Sequence, residues 1–566
     1  MAPEANGPLA GVRVLDLSSE IAGPYCTKLW ADAGADVVKI EDVAAPDPLR
    51  RWSASGASLE EGVDGPLFQF LNGGKRALSA DFASESECAR VRELATQADL
   101  VVESFAPGRA DALGLGWQAL HAECAALSLV SISPWGGTGP WAGRPATGFT
   151  LQAACGATAY RGLPERGPVA AGGRIAEWVA GSYAAVGAMA AWLSAQRTGS
   201  GQHVDVSMFE CLLLSMTIYH DLNGQFFEGP LRQGIETPSI EPAKDGWVGL
   251  CTITGQQWKD FCALIGRPEI AEDERFYDAT QRMQHLDFIH EAIHAWTRAH
   301  TVEEIVELCS LMRIPANPLG DGRTLLENEH LRAREVFVRN PAGFVQPRPP
   351  WRLRGETGAA PGPPPVPAPA PRVGEHDAHA QRPWRTPARP ADAARRDGRA
   401  LPFEGLRVVD LTAFWAGPAA TALLADLGAD VVKIESIQRP DGMRFAGALR
   451  NETLWECCPI YHGANTGKRD VTLRLDCEAG RALCERLIAD ADVVVENYSA
   501  RVLENFGLGW ERIHALAPRA ILVRMPSFGL DGPWRDRVGF AMNIEQVSGL
   551  AWMTGYPDMP LVVRGV

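Results

Sequence analysis

Glu177 stands between a glycine-rich segment and an alanine-rich stretch in the sequence AAGGRIAEWVAG. A carboxylate in this setting can act in catalysis as a nucleophile. It can also stabilise a helix that begins near Trp178, because a negative charge interacts favourably with the positive end of a helix dipole. Taken by themselves, these residues favour the helix-stabilising role, and both roles stay open.

The motif HEAIH, from His290 to His294, is a candidate zinc site. In the HExxH pattern two histidines one helical turn apart bind zinc, and the glutamate activates water. Glu303 or Glu304 would be a third ligand, but TVEEIVELC is typical of a capped helix start. The flanking apolar residues predict an amphipathic helix with both histidines at its edge. We therefore predict no metal site here.

Two other segments argue against nucleotide-dependent chemistry. GANTGKRD has one residue too few between its glycines for a phosphate loop, and an arginine replaces the serine or threonine that would hold magnesium. SSEIAGPYC, which follows the first predicted strand, lacks the GxGxxG pattern of dinucleotide-binding folds. We therefore predict neither an NTPase nor a dehydrogenase.

The composition is that of a globular protein of several domains. The chain has 566 residues, of which 46% are apolar and 22% charged, and a length of this kind needs at least two or three domains. Its net charge of -15 disfavours nucleic-acid binding. The 12 cysteines show no metal-ligand spacing, and neither a signal peptide nor a membrane-spanning apolar run is apparent. We expect a cytoplasmic protein that binds neither nucleic acid nor a membrane.

The chain contains one pattern twice. LAGVRVLDLSSEIAGPYCTKLWADAGADVVKIE near the start matches FEGLRVVDLTAFWAGPAATALLADLGADVVKIE in the last third, and ADLVVESFAPGRADALGLGW matches ADVVVENYSARVLENFGLGW. Each copy opens with a strand, a helix and a second strand; in the first, Pro24 marks the helix start and Gly34 its end. Alternation of this kind predicts a parallel sheet covered by helices.

We therefore predict an α/β fold, in which a Rossmann-like parallel sheet domain carries an inserted smaller α+β domain and a second, partial copy of the α/β domain follows. EPAKDGWVGLCTI predicts a hairpin in the inserted domain. The expected boundaries are 8–221 for the first large domain, completed by 331–378, then 222–330 for the small domain, 379–401 for a proline-rich linker, and 402–566 for the truncated second copy.

The segments RVLDLSSEIAGPYCTKLWADAGADVVKIE, NGGKRALSADF, GTGPWAGRPATGF and RTGSGQHVDVSMFE occur in this order. Together they resemble the class III CoA-transferases, a family that includes formyl-CoA transferase, carnitine and bile-acid CoA-transferases and 2-methylacyl-CoA racemase. The resemblance covers residues 8–378 nearly throughout and then 402–566. It implies two α/β units threaded through each other as interlocked rings, here as an intramolecular pseudo-dimer or as a homodimer.

The resemblance implies that Glu177 is the nucleophile, since the family has an aspartate at the matching position of IADLLAGLYAA. An ionised carboxylate can attack a thioester, and a mixed anhydride results because a thiolate is a tolerable leaving group. Backbone N–H groups of Gly172 and Gly173 would stabilise the oxyanion. Coenzyme A would be a co-substrate and a carboxylic acid its acceptor, with no tightly bound cofactor and no metal.

The family's CoA-binding positions map onto Ile21, Ala22, Asp81, Phe82, Ser104, Phe105 and Arg144, with Lys75 and Arg76 as nearby positive charge. An arginine of the family pattern is replaced by Ala112 and, in the second copy, by Asn505. Either phosphate binding is weakened or Arg109 and Arg501 substitute for it, and these alternatives stay open.

Two other functions are alternatives to the transferase. A racemase of this family needs a histidine where the two copies have Phe149 and Phe540, so proton exchange lacks an agent. A non-catalytic acyl-CoA-binding pseudoenzyme is the alternative from another class, because glutamate replaces aspartate and the second copy looks like a fragment. The transferase is the function that the sequence favours.

Overall fold

The computed structural model describes residues 7–159, 161–163, 165–216, 237–276, 282, 284–355, 357–358, 364, 366–379, 384, 401–445 and 453–558. Almost all of the predicted linker 379–401 and the start of the predicted small domain lie outside the described residues. The domain boundaries themselves stay predictions. Within the described ranges, none of the helices is long and apolar enough to cross a bilayer.

The first copy forms a six-stranded parallel sheet in the order β3-β2-β1-β4-β5-β6. This confirms the predicted α/β fold, and the opening strand, helix and strand lie where the sequence placed them. The elements in chain order are β1 (Arg13–Leu17), α1 (Ala22–Asp32), β2 (Asp36–Asp42), α2 (Pro66–Asn72), β3 (Arg76–Ala80), α3 (Glu85–Ala95), β4 (Leu100–Glu103), α4 (Arg109–Ala112), α5 (Trp117–Glu123), β5 (Ser128–Ser133), α6 (Gly148–Ala154), α7 (Ile175–Thr198), β6 (His203–Ser207) and α8 (Met208–Met216).

Helix α7 packs closely on α1 because its contact face carries small residues. Ala180, Ala184 and Ala188 are fully buried in the core that α1 and the sheet share. A side chain at Gly181 would stand 2.6 Å from the carbonyl oxygen of Ala22. The absence of a side chain therefore lets the two helices approach each other beside the turn that follows β1.

The inserted domain is built on a three-stranded antiparallel sheet in the order β7-β8-β9. The predicted hairpin is confirmed as the β7–β8 pair. The elements are β7 (Ile240–Pro242), β8 (Trp247–Leu250), α9 (Gly255–Leu264), α10 (Pro268–Glu272), α11 (Leu286–Thr297), α12 (Val302–Leu311), β9 (Ala316–Pro318), α13 (Thr324–Glu327), α14 (Glu329–Ala333) and a following hairpin of β10 (Phe337–Arg339) and β11 (Val345–Pro347).

The chain then returns to the edge of the first sheet. The N–H of His376 donates to the carbonyl oxygen of Ala77 at 3.0 Å, and the hydroxyl of Ser79 donates to Asp377 at 2.6 Å. Residues 366–379 therefore cover the edge strand β3, which limits its exposure to other strands.

The second copy repeats the first sheet with five parallel strands in the order β14-β13-β12-β15-β16. Its elements are β12 (Arg407–Asp410), α15 (Ala416–Asp426), β13 (Asp430–Glu435), α16 (Leu454–Cys457), α17 (Pro459–Asn465), β14 (Arg469–Thr472), α18 (Glu478–Ala489), β15 (Val493–Glu496), α19 (Val502–Asn505), α20 (Trp510–Leu516), β16 (Ile521–Arg524) and α21 (Ala541–Ser548).

Helix α21 of the second copy lies against the inserted domain of the first. The amide of Gln546 donates to the carbonyl oxygens of Ser239 at 3.2 Å and Leu250 at 3.4 Å. The amide of Asn543 donates to the side chain of Asn317 at 2.8 Å. These bonds are buried, so the two copies share a packed interface within one chain.

A buried ion pair ties the first strand to the start of β3. Asp16 and the ammonium of Lys75 are 3.0 Å apart, and both side chains are fully buried. Asp16 also accepts from the hydroxyls of Ser18 and Thr27, at 2.5 and 2.7 Å. Burial alone would raise the pKa of Asp16, but Lys75, Lys39 and these hydroxyls outweigh it and hold the pKa far below its usual range.

The second copy repeats this arrangement nearly atom for atom. Asp410 lies 3.0 Å from Lys468 and accepts from the hydroxyls of Thr412 and Thr421 at 2.5 and 2.6 Å. A second buried lysine in each copy donates to the carbonyl oxygen two residues after the aspartate, Lys39 in the first and Lys433 in the second. The two copies therefore share these buried polar contacts as well as their fold.

We expect Lys75→Met to destabilise the protein by about 3–5 kcal/mol at neutral pH, because it leaves a buried carboxylate without its partner. The measurement is the midpoint of urea unfolding, with the exposed Lys259→Met as control.

The difference in stability between the parent and Lys75→Met should also depend on pH. The stability that ionised Asp16 contributes is present above its unfolded pKa of about 3.9 and is lost as the pH falls through the lowered folded value. The difference between the parent and Lys75→Met should therefore narrow below about pH 4. An unchanged urea midpoint for Lys75→Met at neutral pH would show that the Asp16–Lys75 pair is not needed for stability.

Candidate active site

The carboxyl ends of β1 and β4 meet where the strand order reverses, which is where open α/β sheets bind ligands. The N–H of Ser19 donates to the hydroxyl of Ser104 at 3.1 Å across this point. Ile21 and Ala22 follow in the same turn, and both are buried. The structure thus brings three of the predicted CoA-binding residues together.

The other residues predicted at the ends of β3 and β4 lie beside them. The rings of Phe82 and Phe105 meet edge to face, with centroids 5.7 Å apart, and Phe82 is part of the first copy's core. Asp81 accepts the N–H of Ala83 at 2.9 Å and thereby closes a turn before α3. In this structure Phe82 and Asp81 therefore have structural partners.

The prediction for Lys75 and Arg76 needs correction. The ammonium of Lys75 is fully buried and has four oxygen partners, Asp16, Pro24, Thr27 and Asn72, at 2.7–3.0 Å. Arg76 is paired with Asp36 at 2.6 Å. Both cations are used inside the fold and offer no free positive surface to a phosphate.

Arg144 is the predicted cation that stays exposed. Its guanidinium stacks over the ring of Trp141 at 4.8 Å from the centroid. The segment that it belongs to leads into α6, whose first residue, Gly148, lies next to Glu177. Arg144 is therefore exposed, and its role in CoA binding stays a prediction.

Glu177 lies in the first turn of α7, which begins at Ile175, three residues before the predicted start near Trp178. Its carboxylate does not cap the helix: Oε1 accepts from the guanidinium of Arg174 at 2.7 Å. Oε2 is buried, has no hydrogen-bond partner among the described residues, and stands 3.4 Å from where a side chain on Gly148 would begin. One oxygen is thus held while the other remains uncommitted.

Arg174 links Glu177 to the turn after β1. Its guanidinium also donates to Glu20 at 2.6 Å, so one cation serves two carboxylates. Burial would lower the pKa of Arg174, but Glu20 and Glu177 outweigh it and raise that pKa. Both Arg174 and Glu20 have positive φ angles, 57° and 62°, which residues with a side chain rarely adopt. Backbone strain of this kind often accompanies functional sites.

The prediction that the N–H of Gly172 stabilises an oxyanion also needs correction. Its N–H donates to the hydroxyl of Thr554, a residue of the second copy, at 3.1 Å. A side chain at Gly172 would collide with the backbone of Met553, at 2.4 Å. Gly173 adopts a φ of 73°, and its carbonyl oxygen accepts from the indole of Trp178. The glycines thus seat the second copy against the beginning of α7.

Sequence reasoning missed Glu20, Arg174 and Thr554 as parts of this site. The spacing of Arg174 and Glu177 could have suggested a pair, since residues three apart in a helix are neighbours. Glu20 and Thr554 carry no local signal, because they meet α7 only through the tertiary fold. What the arrangement offers chemically is a mostly buried carboxylate with one free oxygen, beside the ligand-binding edge of a parallel sheet.

Comparison with known proteins finds one family model and several similar proteins. The model of CoA-transferase family III matches residues 9–377 and 403–566. A protein named "Probable CoA-transferase" from Mycobacterium tuberculosis is 29% identical over 559 residues, which is 95% of this chain and 67% of that protein. The succinyl-CoA–D-citramalate CoA-transferase of Chloroflexus aurantiacus is 31% identical over 340 residues, 58% of this chain and 83% of that enzyme.

Among solved structures, a CaiB/BaiF family protein from Brucella suis is similar in fold. The alignment has a TM-score of 0.57 and 28% sequence identity, and it covers 66% of this chain and 99% of that protein. The two segments matched by the family model reproduce the tandem arrangement predicted from the repeat.

We expect Thr554→Val to expose the amide of Gly172, because valine keeps the shape of threonine but cannot accept its hydrogen bond. Losing one hydrogen bond of about 1 kcal/mol should speed hydrogen exchange at this amide about 5-fold or more. Hydrogen–deuterium exchange of peptides covering 168–178 measures this, with the exposed Thr466→Val as control. Equal protection in both variants would contradict the contact between the copies.

Proposed function

Because the chain belongs to CoA-transferase family III and is a class III CoA-transferase, we propose that it moves CoA from an acyl-CoA thioester to a carboxylic acid through a mixed anhydride on Glu177. The observation that carries this proposal is the uncommitted, buried Oε2 of Glu177. A carboxylate oxygen without a hydrogen-bond donor keeps its lone pairs for attack, and burial protects an anhydride from water.

The proposed reaction needs only the acyl-CoA donor, the acceptor acid and the carboxylate of Glu177. An oxygen of Glu177 attacks the thioester carbonyl, the carbon–sulfur bond breaks, and CoA leaves as thiolate. The thiolate then attacks the glutamyl carbonyl, which releases the donor acid and leaves a glutamyl thioester. The acceptor carboxylate attacks this thioester, its carbon–sulfur bond breaks, and CoA leaves as thiolate from a second mixed anhydride. The thiolate then attacks the acceptor carbonyl of that anhydride, which gives acceptor-CoA and restores the free carboxylate of Glu177.

Arg174 is proposed to aim the nucleophile. Its contact with Oε1 fixes which oxygen is left without a partner, since Oε2 then lies next to Gly148. The lack of a side chain at Gly148 leaves space beside Oε2, where a thioester carbonyl would have to enter. Glu20 holds Arg174 from the opposite side, so the turn after β1 and the nucleophile are positioned together.

We further propose that the two copies act as an intramolecular pseudo-dimer, the alternative to a homodimer. Contacts around the beginning of α7 support this. The hydroxyl of Tyr556 accepts from the N–H of Leu163 at 3.1 Å and donates to the carbonyl of Gly167 at 2.6 Å. With Thr554 on Gly172, these bonds line one side of the first copy's site with residues of the second.

Racemase activity has less support from the site. Phe149 is largely exposed and Phe540 packs edge to face against Phe414, and neither phenylalanine can exchange a proton. The non-catalytic acyl-CoA-binding alternative is tested by the same experiment as the transferase, because the two differ in whether an acyl-enzyme forms.

Replacing Glu177 by Gln should abolish transfer, since an amide is not a nucleophile towards a thioester. We expect a loss in kcat of about 10³-fold or more with succinyl-CoA as donor and a panel of carboxylic acids as acceptors. The measurement is acceptor-CoA formation, together with mass spectrometry of an acyl adduct that hydroxylamine removes.

The exposed Glu165→Gln is the matched control and should keep parent activity. Full activity in Glu177→Gln would overturn the nucleophile assignment. Binding of CoA thioesters by the parent chain without any acyl adduct would favour the non-catalytic binder.

Replacing Glu177 by Asp tests whether this site is built for glutamate. The shorter side chain withdraws the carboxylate from Arg174 and shifts the attacking oxygen by about 1 Å, which should lower kcat about 100-fold. Activity equal to or above that of the parent would show that reach to Arg174 is not needed.

A further inference from the structure

Two histidines and a glutamate converge in the inserted domain, away from the site described above. His290 and His294 lie one turn apart on α11, with ring centroids 5.0 Å apart and planes 10° from parallel. Glu241, the central residue of β7, places Oε2 2.7 Å from Nε2 of His294. One ligand atom from each of the three residues lies within 4.8 Å of the others.

We propose that Glu241, His290 and His294 bind a divalent transition metal of the Zn²⁺ or Co²⁺ type. Two imidazole nitrogens and one carboxylate are the three-ligand set that such ions take, with water completing the coordination. The metal would replace the hydrogen bond between Nε2 of His294 and Oε2 of Glu241, and a neutral His294 would then carry its proton on Nδ1, which leaves the lone pair of Nε2 for the metal.

The glutamate is held in place for this role. Glu241 is buried, and its Oε1 accepts the N–H of Ser239 at 3.0 Å, which turns Oε2 towards the histidines. A hydrogen bond of this kind to a ligating carboxylate orients it and strengthens metal binding. The strand that carries Glu241 is paired with β8, so its position is fixed by the sheet.

His290 is available as a ligand. It makes no hydrogen bond to the part of the chain that the structure describes, although its ring lies next to that of His294. An imidazole nitrogen without a hydrogen-bond partner has its lone pair available for a metal ion. Binding would therefore add a partner to a side chain without breaking an existing bond.

The third ligand differs from the one that the sequence suggested. Glu304 accepts the N–H of Thr301 at 2.8 Å in the capping box of α12, as its sequence context predicted. Glu291, the central glutamate of HEAIH, is exposed on α11. The cluster therefore lacks the water-activating glutamate of a metalloprotease, and the metal would join β7 to α11 within the inserted domain.

The test is titration of the purified full chain, freed of metal and of any histidine tag, with Co²⁺ followed by absorbance and with Zn²⁺ followed by calorimetry. We expect one metal per chain, and at least a 100-fold weaker affinity in His290→Ala and in Glu241→Gln, since the loss of even an outer partner costs 10–100-fold. Zn²⁺ should also raise the unfolding temperature of the parent and leave that of His290→Ala unchanged.

His300→Ala is the matched imidazole control and Glu303→Gln the matched carboxylate control, and both should bind as the parent does. His290→Ala decides the result if Glu241→Gln fails to fold, because His290 has no hydrogen bond to lose within the described residues. Parent-like affinity in His290→Ala would overturn the proposal, as would the absence of Co²⁺ and Zn²⁺ binding by the parent.

Discussion

A carboxylate sealed inside a protein must be matched by donors, and in each copy that requirement shapes the turn after the first strand. Asp16 has no solvent contact, so hydroxyls from the turn and from α1 and an ammonium from the start of β3 converge on it. These contacts hold the backbone conformation of the turn, which positions Glu20 and Ile21. The equivalent group around Asp410 shows that the constraint belongs to the repeat itself.

The candidate site depends on this constraint through two further contacts. Helix α1 starts where the turn ends, and small residues let α7 pack closely against it. Arg174 then connects Glu20 in the turn to Glu177, so the proposed nucleophile is held against the turn that carries the predicted CoA-binding residues Ile21 and Ala22. The second copy closes the opposite side through Thr554. Geometry at Glu177 is thus set jointly by a buried core and by an interface between copies.

Much of the fold could be predicted from the sequence because its signals are local. The helix bounded by Pro24 and Gly34 and the hairpin in EPAKDGWVGLCTI lie as expected. The candidate site was predictable only in part. The burial of Lys75 has no local signal, because its partner Asp16 is 59 residues away. The hydroxyl that accepts from the N–H of Gly172 belongs to Thr554, 382 residues away, and Glu241 lies 53 residues from His294. Pairs this far apart produce no recognisable spacing in the sequence.

The contact between α21 and the inserted domain also has a consequence for the order in which parts of the chain fold. Gln546 bonds the carbonyl of Ser239 across 307 residues of chain. During synthesis the inserted domain leaves the ribosome well before Gln546 is made. The carbonyl of Ser239 accepts the N–H of Leu250 at 2.7 Å within that domain, and the bond from Gln546 can only be added later. Contacts this distant are slow to form, and domains emerge in order from the amino terminus. The interface between α21 and the inserted domain can therefore form only after the second copy has been synthesised, so it is completed later than the contacts within the first copy.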